Sequence, residues 1–432
     1  MRPQHLLFAI LAVARLLPVP AAAQATAAQA LTLHQAEQIA IQNHPQVQAA
    51  ANLAAASEAQ VTQARSAYYP TVYGSLTGVD AENNSRIGAG GLNNPVIYDR
   101  FAEGITASQL VTDFGRTHEL VKSSQLHAKA EQENVVRTRA DVLLQVDQSY
   151  FAVLKAQAVL AVAQETVKAR QLVSDQITEL EKNKIKSGLD VSFANVNLAE
   201  AQLLLIQAEN DVQASFARLS DSLGYSDERT FVLAEEPAPA TPPADLPSSI
   251  QQALRDRPEL IGQRFDTNAA QSYTTAERDL WMPTISAVGT AGLIPFRQDA
   301  LPPRYAAAGF NVNIPLFNGR LFGALHTEAK EQAEAQGQYL RDLENRIVRD
   351  VRTAWLNANS GFQRLAITQQ LLAQANLALE LAQSRYKLGL SSIVELSQAQ
   401  LNQTQAQIEQ ASAKYDYEVQ ISELEYQTGS LH

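Results

Sequence analysis

Thiolates, imidazoles and carboxylates do most of the chemistry that proteins do, and this chain is poor in useful arrangements of them. It has no cysteine, which removes disulfide scaffolds, thiolate nucleophiles, zinc-thiolate sites, iron-sulfur clusters and any lipid-modified N-terminal cysteine at once. Its seven histidines, among them His34, His44, His118, His127 and His326, show none of the paired spacings that hold a metal. Exposed helical or turn positions account for them. Gly88-Ala89-Gly90-Gly91 resembles a phosphate loop only superficially, because the Lys and Ser/Thr of a nucleotide site do not follow it. No nucleophile, base and orienting group can be assembled, so the sequence predicts neither an enzyme nor a resident cofactor or metal.

The composition points to the elements instead. At 432 residues the chain could form two or three ordinary domains, yet its 46% hydrophobic content includes only 6% aromatics, and charged residues make up 18%. Much of the apolar share is alanine set among glutamines, a mixture that favours long helices over packed globules. Thirty-four basic and forty-five acidic residues leave a net charge of -11, which offers no electrostatic footprint for nucleic acid or an anionic membrane surface. Arg2 and His5, the apolar run Leu6 to Val13 and the small residues Ala21-Ala22-Ala23-Gln24-Ala25 have the layout of a secretory signal peptide, interrupted by Arg15. Residues 1–25 are therefore expected to be a signal. No later stretch approaches the roughly 18–20 consecutive apolar residues of a spanning helix.

Self-similarity organises the rest. Residues 43–79 align without gaps at an offset of 213, bringing Tyr69-Pro70 onto Met282-Pro283. Phe114-Gly115-Arg116 and Phe151 match Asn318-Gly319-Arg320 and Trp355 at 204, Gly188 meets Gly389 at 201, and Asp190 and Leu219 meet Glu395 and Leu424 at 205. The chain reads as a tandem duplication: a first repeat over residues 26–234, a Pro-rich connector over 235–247 and a second repeat over 248–432. In each, a helix opens at a capping box, Thr32 with Gln35 or Ser248 with Gln251, and restarts at Pro45 or Pro258. Very long helices follow over about 116–187 and 320–388. At 1.5 Å per residue these are roughly 108 and 104 Å long. The short helices of each repeat laid end to end match that length, as rods packed side by side would, whereas a compact chain of this size has a radius of gyration of about 21 Å.

Between the helices lie Thr71 to Asp80, Phe101 to Asp113, Thr284 to Ile294 and Ala306 to Phe317. Phe101, Ile105, Ala107 and Val111 alternate with Gly104, Thr106, Ser108 and Thr112, and Phe310, Val312 and Ile314 alternate with Gly309, Asn311 and Asn313. About ten residues with one apolar face suits a strand crossing an outer-membrane barrel, and Tyr69, Tyr73, Tyr98, Trp281, Phe296, Tyr305 and Phe317 flank the segments. Four strands leave two unpaired edges, which hydrocarbon does not tolerate, so several chains must share one barrel. Three chains give twelve strands. A periplasmic adaptor, with one helical hairpin between β-rich domains, and a coiled-coil rod of the envelope remain the alternative readings.

The sequence resembles the TolC family of outer-membrane efflux proteins. The resemblance rests on Leu31-Thr32-Leu33-His34-Gln35-Ala36, Ala64 to Pro70, Glu277 to Pro283, Phe317-Asn318-Gly319-Arg320, Lys186-Ser187-Gly188-Leu189-Asp190-Val191 and Arg385-Tyr386-Lys387-Leu388-Gly389, in duplicated order. It implies a mainly α fold with a β-barrel part: a homotrimer whose shared 12-stranded barrel sits in the outer membrane of a Gram-negative bacterium and continues as a helical periplasmic tunnel. It further implies docking to a periplasmic adaptor and an inner-membrane pump, contact with outer-membrane lipid, and passive conduction with no chemistry or cofactor of its own.

By the same resemblance, Gly188, Leu189, Gly389, Leu390 and Ser391 fall at the turns of the periplasmic tip that adaptors contact. A chain reversal there often needs positive φ, which suits glycine. Asp190 and Glu395 match acids of the closed gate and Tyr386 its aromatic. Lys186, Arg385 and Lys387 are the nearby charges. Asp190 and Glu395 are also first-turn acids that a helix dipole favours. Two departures stand out: Ser391 replaces a basic residue of the family, and the first turn is expected to be four residues shorter than the second.

Overall fold

A computed structural model of the protein describes residues 30–82, 85–86, 96–237, 241–243 and 245–431. The expected signal peptide, Gly88 to Gly91 and part of the Pro-rich connector lie outside the described residues.

Helix α1 (Leu33–Asn43) opens at the expected capping box: Thr32 accepts the Gln35 amide and Gln35 accepts the Thr32 amide. His44 ends α1 and caps α2 (Pro45–Arg65) by accepting the Gln46 amide at 3.3 Å. Pro45 takes the first helical position, where its missing N–H costs nothing. His44 is thus buried, not exposed as the sequence suggested. The second copy repeats this as α5 (Leu246–Asp256), the extended Arg257 and α6 (Pro258–Arg278). Its cap differs from the expectation. Asp245, not Ser248, is the N-cap and accepts the Ser248 amide, because a carboxylate three residues ahead caps as well as serine does and Pro247 fits the first turn.

Short 3-10 turns at Ser66–Tyr68 and Asp279–Trp281 lead into the strands. These are β1 (Thr71–Val79), β2 (Arg100–Thr112), β3 (Thr284–Arg297) and β4 (Arg304–Asn313). They form one antiparallel sheet in the order β1-β2-β3-β4. Val72 lies opposite Ala107, Ala107 opposite Gly289 and Gly289 opposite Ala308. Residues two apart share a face, so Val72, Leu76, Ile105, Leu293, Phe310 and Val312 line one side, with Glu103, Gln109 and Arg304 as its polar exceptions. The other side carries Tyr73, Ser75, Thr106, Thr290, Asn311 and Asn313. Tyr305 lies across that polar side: a Cβ on Gly292 would come within 2.6 Å of its ring, and Gly104 sits beneath its hydroxyl. Gly104 and Gly292 make room for the ring. β4 stops at Asn313 rather than Phe317 because its partner there, Thr284, is the first residue of β3.

The long helices α3 (Arg116–Lys182) and α7 (Leu321–Lys387) have 67 residues each, about 100 Å of rise. α4 (Gly188–Ser222) and α8 (Ile393–Thr428) return antiparallel. In the first copy, helices of 11, 21 and 35 residues lie along one of 67. α3 packs against α2, α4, α6 and α8, while α7 packs against α5, α6 and α8. Across the chain the rods therefore run α2/α4, α3, α6/α8, α7. The sequence reading missed one feature. α4 is long and apolar enough to pass as a membrane span by composition, and only 11% of its most apolar window is buried.

Equivalent elements stand 213 residues apart from α1 to β1 and 205 apart from β2 to α8. Three pairings made on letter identity shift accordingly. Phe114 and Gly115 (φ 59 and 114) correspond to Gly319 and Arg320 (φ 63 and 72), all left-handed. Tyr150, not Phe151, stands where Trp355 stands: its hydroxyl lies 2.8 Å from the Leu31 and Ala234 carbonyls, as the Trp355 Nε1–H donates to Pro243 O at 2.8 Å. Lys184 (φ 63), not Gly188, corresponds to Gly389 (φ 74). Each copy closes on itself at Gly224 or Gly429, both with positive φ. A Cβ on Gly224 would meet the Asn43 carbonyl carbon at 2.9 Å, so the end of α4 seats on the α1–α2 elbow only through glycine. Around that elbow Ala36, Ala40, Val146, Tyr150, Phe216 and Leu219 form the main core.

Candidate functional site

α3 ends at Lys182 and α4 begins at Gly188; α7 ends at Lys387 and α8 begins at Ile393. Both turns thus have five residues, and the expected four-residue difference is absent. It came from pairing Gly188 with Gly389, whereas Gly188 is the first helical residue of α4 and has no positive φ. The left-handed position of the first turn is Lys184.

The two turns use their acids differently. Ser187 caps α4 by accepting the Asp190 amide at 3.3 Å, and Asp190 Oδ2 accepts the Ser187 amide at 3.0 Å and its hydroxyl at 2.7 Å. Asp190 Oδ1 accepts the Tyr386 hydroxyl at 3.2 Å. Lys186 Nζ sits 3.7 Å from the centre of the Tyr386 ring and 3.3 Å from its carbonyl oxygen. In the second turn Ser392 accepts the Glu395 amide at 3.4 Å, but the longer Glu395 side chain turns to Arg385 Nε at 3.2 Å. Lys186, Asp190 and Tyr386 therefore form one group and Arg385 and Glu395 another. Leu189 and Leu390 are exposed at the end of the hairpins. Ser391 buries its hydroxyl without a partner, and Lys387 lines a cavity beside Tyr386.

Burial opposes ionisation of Asp190 but is outweighed by the Ser187 hydroxyl and amide, the Tyr386 hydroxyl and the Lys186 charge, so its pKa lies below the usual value. Burial, and then the Asp190 carboxylate, push the Tyr386 hydroxyl well above the usual phenol range. The proton stays on Tyr386 and the charge on Asp190, which fixes the direction of their hydrogen bond.

Arg170 escaped sequence reasoning. It is 7% exposed, and its Nη2 donates to Gln400 O at 2.8 Å and Thr404 Oγ1 at 3.0 Å. Burial pulls its pKa down to about 10, with Glu200 opposing. It ties α3 to α8 beside a cavity of about 540 Å³ that Tyr386, Leu396 and Lys186 also line. The available signal was spacing: Ala163, Thr166, Arg170, Val173 and Ile177 put a charge in the middle of an apolar helical stripe.

A four-stranded sheet with one apolar face and two open edges, carried on rods of about 100 Å, is part of a membrane-embedded tube with a helical extension. The outer membrane efflux protein family matches residues 36–225 and 249–430, one block on each copy, and the chain belongs to that family. It is an exit channel of the Gram-negative outer membrane with a periplasmic helical domain, as its relatives are. It is 24% identical to the outer membrane protein TolC of Vibrio cholerae over 402 residues, 90% of this chain and 89% of that protein. To the outer membrane efflux protein BepC of Brucella suis it is 23% identical over 338 residues, 76% and 72% of the two chains. Among solved structures, the outer-membrane channel OprN superposes with a TM-score of 0.81 at 18% identity, covering 92% of this chain and 90% of that one. The Campylobacter jejuni CmeC channel superposes with a TM-score of 0.79 at 17% identity, covering 92% and 85%. TolC-like channels are homotrimers that work with an adaptor and an inner-membrane pump.

Proposed function

We propose that three copies of this chain close a twelve-stranded barrel and a helical tunnel, forming a passive duct that carries substrates from a periplasmic adaptor and an inner-membrane pump to the outside. The observation that carries this reading is the sheet. β1 and β4 expose unpaired edges beside an apolar face, an arrangement that is stable in hydrocarbon only once closed. The duct does no chemistry of its own; the pump supplies the energy. The two repeats and the connector between them act as one wall unit. Gly188, Leu189, Gly389, Leu390 and Ser391 form the adaptor-contacting tip, where exposed Leu189 and Leu390 offer apolar anchors.

The gate is the group around Tyr386. In a trimer each Asp190 becomes one of a ring of three carboxylates, which repel around a narrow axis. Lys186 and the Tyr386 hydroxyl hold that charge in place, and Arg385 restrains Glu395 on the neighbouring turn. Lys387 adds positive charge at the rim. Purified protein in planar bilayers is expected to form poorly conducting pores that widen in Asp190→Ala and in Tyr386→Phe. Unchanged conductance in both variants rejects the gate, and recovery outside the outer-membrane fraction rejects the duct.

A further inference from the structure

Each copy has a junction where a short helix hands over to a strand beside the start of a long helix, and the two junctions carry different charges. In the first copy Arg65 of α2 and His118 and Lys122 of α3 line a hollow of about 370 Å³ together with Tyr68 and Tyr69, and no acid is among the residues that line it. Arg65 and His118 are exposed and have no side-chain hydrogen bond or ion pair among the described residues. Lys122 meets Glu119 at 3.3 Å with half of its own side chain exposed. In the second copy Arg278 stands for Arg65 but is held by Asp279 at 3.1 Å, where the first copy has Ser66. Gly323 and Thr327 stand for His118 and Lys122. His326 and Lys330 take the places of Val121 and Gln125, and Lys330 pairs with Glu334 at 3.7 Å. The unpaired positive charge therefore belongs to one copy, and the shared backbone does not account for it.

The hollow opens on the apolar side of the tube. Ile105, whose side chain lies on the apolar side of the sheet, turns its carbonyl to β3, where it accepts from Thr290 Oγ1 at 3.2 Å. For L-residues this puts β3 to the left of β2, seen from that side with the helices below. α3 keeps the order: Ser123 reaches α6 and Gln132 reaches α2. A right-handed helix so placed points Lys122 to the apolar side, with His118 beside it toward α2, and points Thr117 and Ser124 to the other. The depth fits a headgroup layer, about 5–8 Å thick on each side of a bilayer. His118 and Lys122 lie roughly 3 and 9 Å below the start of α3, and long basic side chains reach back along that distance. Tyr68 and Tyr69 sit between them and β1, at the level where aromatic rings gird a barrel. Above the tyrosines, Val72 and Leu76 are exposed on the apolar side of β1.

We propose that this hollow binds the phosphate of an acidic glycerophospholipid in the periplasmic leaflet, with Arg65, His118 and Lys122 as its donors and an acyl chain along Val72 and Leu76. The assignment rests on the outer-membrane location and is independent of the gate. Arginine presents two parallel N–H groups to phosphate oxygens, and lysine adds a point charge. A lipid with net negative charge matches three cations with one acid nearby, whereas the ammonium of phosphatidylethanolamine would meet those same cations. The apolar strip above the hollow selects a lipid over a free anion.

Full-length protein, delipidated in mild detergent, is expected to retain dioleoylphosphatidylglycerol in native mass spectra several-fold better than dioleoylphosphatidylethanolamine. Arg65→Gln with His118→Gln and Lys122→Gln should bring the two lipids level. Arg278→Gln, the matching change in the second copy, should leave the preference intact. In nanodiscs, phosphatidylglycerol should slow amide exchange over residues 62–70 and 116–125 relative to phosphatidylcholine, and only with the three cations present. Equal retention by the wild type and the triple variant overturns the site. An equal loss in Arg278→Gln also overturns it, because attraction would then be spread over the basic surface. If inorganic phosphate alone slows the same amides as much, the hollow takes free anions and the lipid assignment fails. Fractionation reads the membrane location separately: wild-type protein outside the outer membrane sinks the location itself. If only the triple variant is mislocalised, Arg65→Gln alone, at an exposed position, carries the test, and an undiminished preference in it overturns the site.

Discussion

The two hairpin turns have the same length and the same backbone path, yet they are held differently. At the first, Asp190 folds back onto Ser187 and spends its remaining oxygen on Tyr386 of the other hairpin. At the second, Glu395 leaves its own cap for Arg385 on the surface. One methylene separates the two acids. The shorter carboxylate completes a cap and still reaches a buried hydroxyl; the longer one reaches only an exposed guanidinium. Duplication thus supplied two similar turns, and one of them became the link between hairpins.

The largest test of that contrast is Tyr386 itself, 6% exposed among Ile177, Ile393 and Leu396. Tyr386→Ala should destabilise the tip by about 3–5 kcal/mol, and Tyr386→Phe by about 1–2 kcal/mol, the loss of one bond to a charged group. Hydrogen exchange over residues 173–196 and 379–399 reads both, and equal losses would mean that packing contributes nothing.

Next comes the response to pH, where the tip and the helical girdle should differ in sign. The folded pKa of Asp190 lies below its unfolded value, so the stability it contributes is present above about pH 4 and is lost as pH falls through the folded pKa. Glu418 is pushed up from 4.5 to about 7 by burial, against Lys414. It keeps a proton that the unfolded chain releases, so stability falls as pH rises from 4.5 to about 7. Buried Asp147 is likewise raised, with Glu37 and Glu425 adding to the effect of burial. Glu418→Gln should make thermal stability fall less steeply across that interval, Asp147 keeping part of the slope, while leaving the acid limb intact; an unchanged slope contradicts the assignment.

A smaller difference separates Lys184 from Gly389, which share a left-handed backbone. Nothing lies within 4 Å of a Cβ on Gly389, so Gly389→Ala should cost only the conformational strain, about 1–2 kcal/mol, and Lys184→Gly should gain a similar amount in protection of its turn. Smallest is the exposed pair Arg385–Glu395: Glu395→Gln should cost roughly 0–1 kcal/mol, and less as salt rises. A larger, salt-independent loss would make the second turn the equal of the first.

Much of this organisation is local and could be read from residues alone. The duplication, the capping box at Thr32, the restarts at Pro45 and Pro258 and the alternation in β2 and β4 follow from rules that act over a few residues. The errors were also local: Ser248 looked like a cap until Asp245 took the role, and Gly188 looked like the partner of Gly389. Identical letters do not reveal φ, and a lysine can occupy the position that a glycine holds in the other copy.

Sequence alone determined the order of the helices and strands and the approximate length of the rods, because periodicity and capping are written in neighbouring side chains, whereas the end of β4 depended on its partner strand. Tertiary structure alone decided that Tyr386 meets Asp190, that Arg170 is buried against Gln400, and that α3 is covered on both flanks while α7 is left open. Those facts depend on which rods lie side by side, and residues some 200 positions apart leave no short-range trace of their contact.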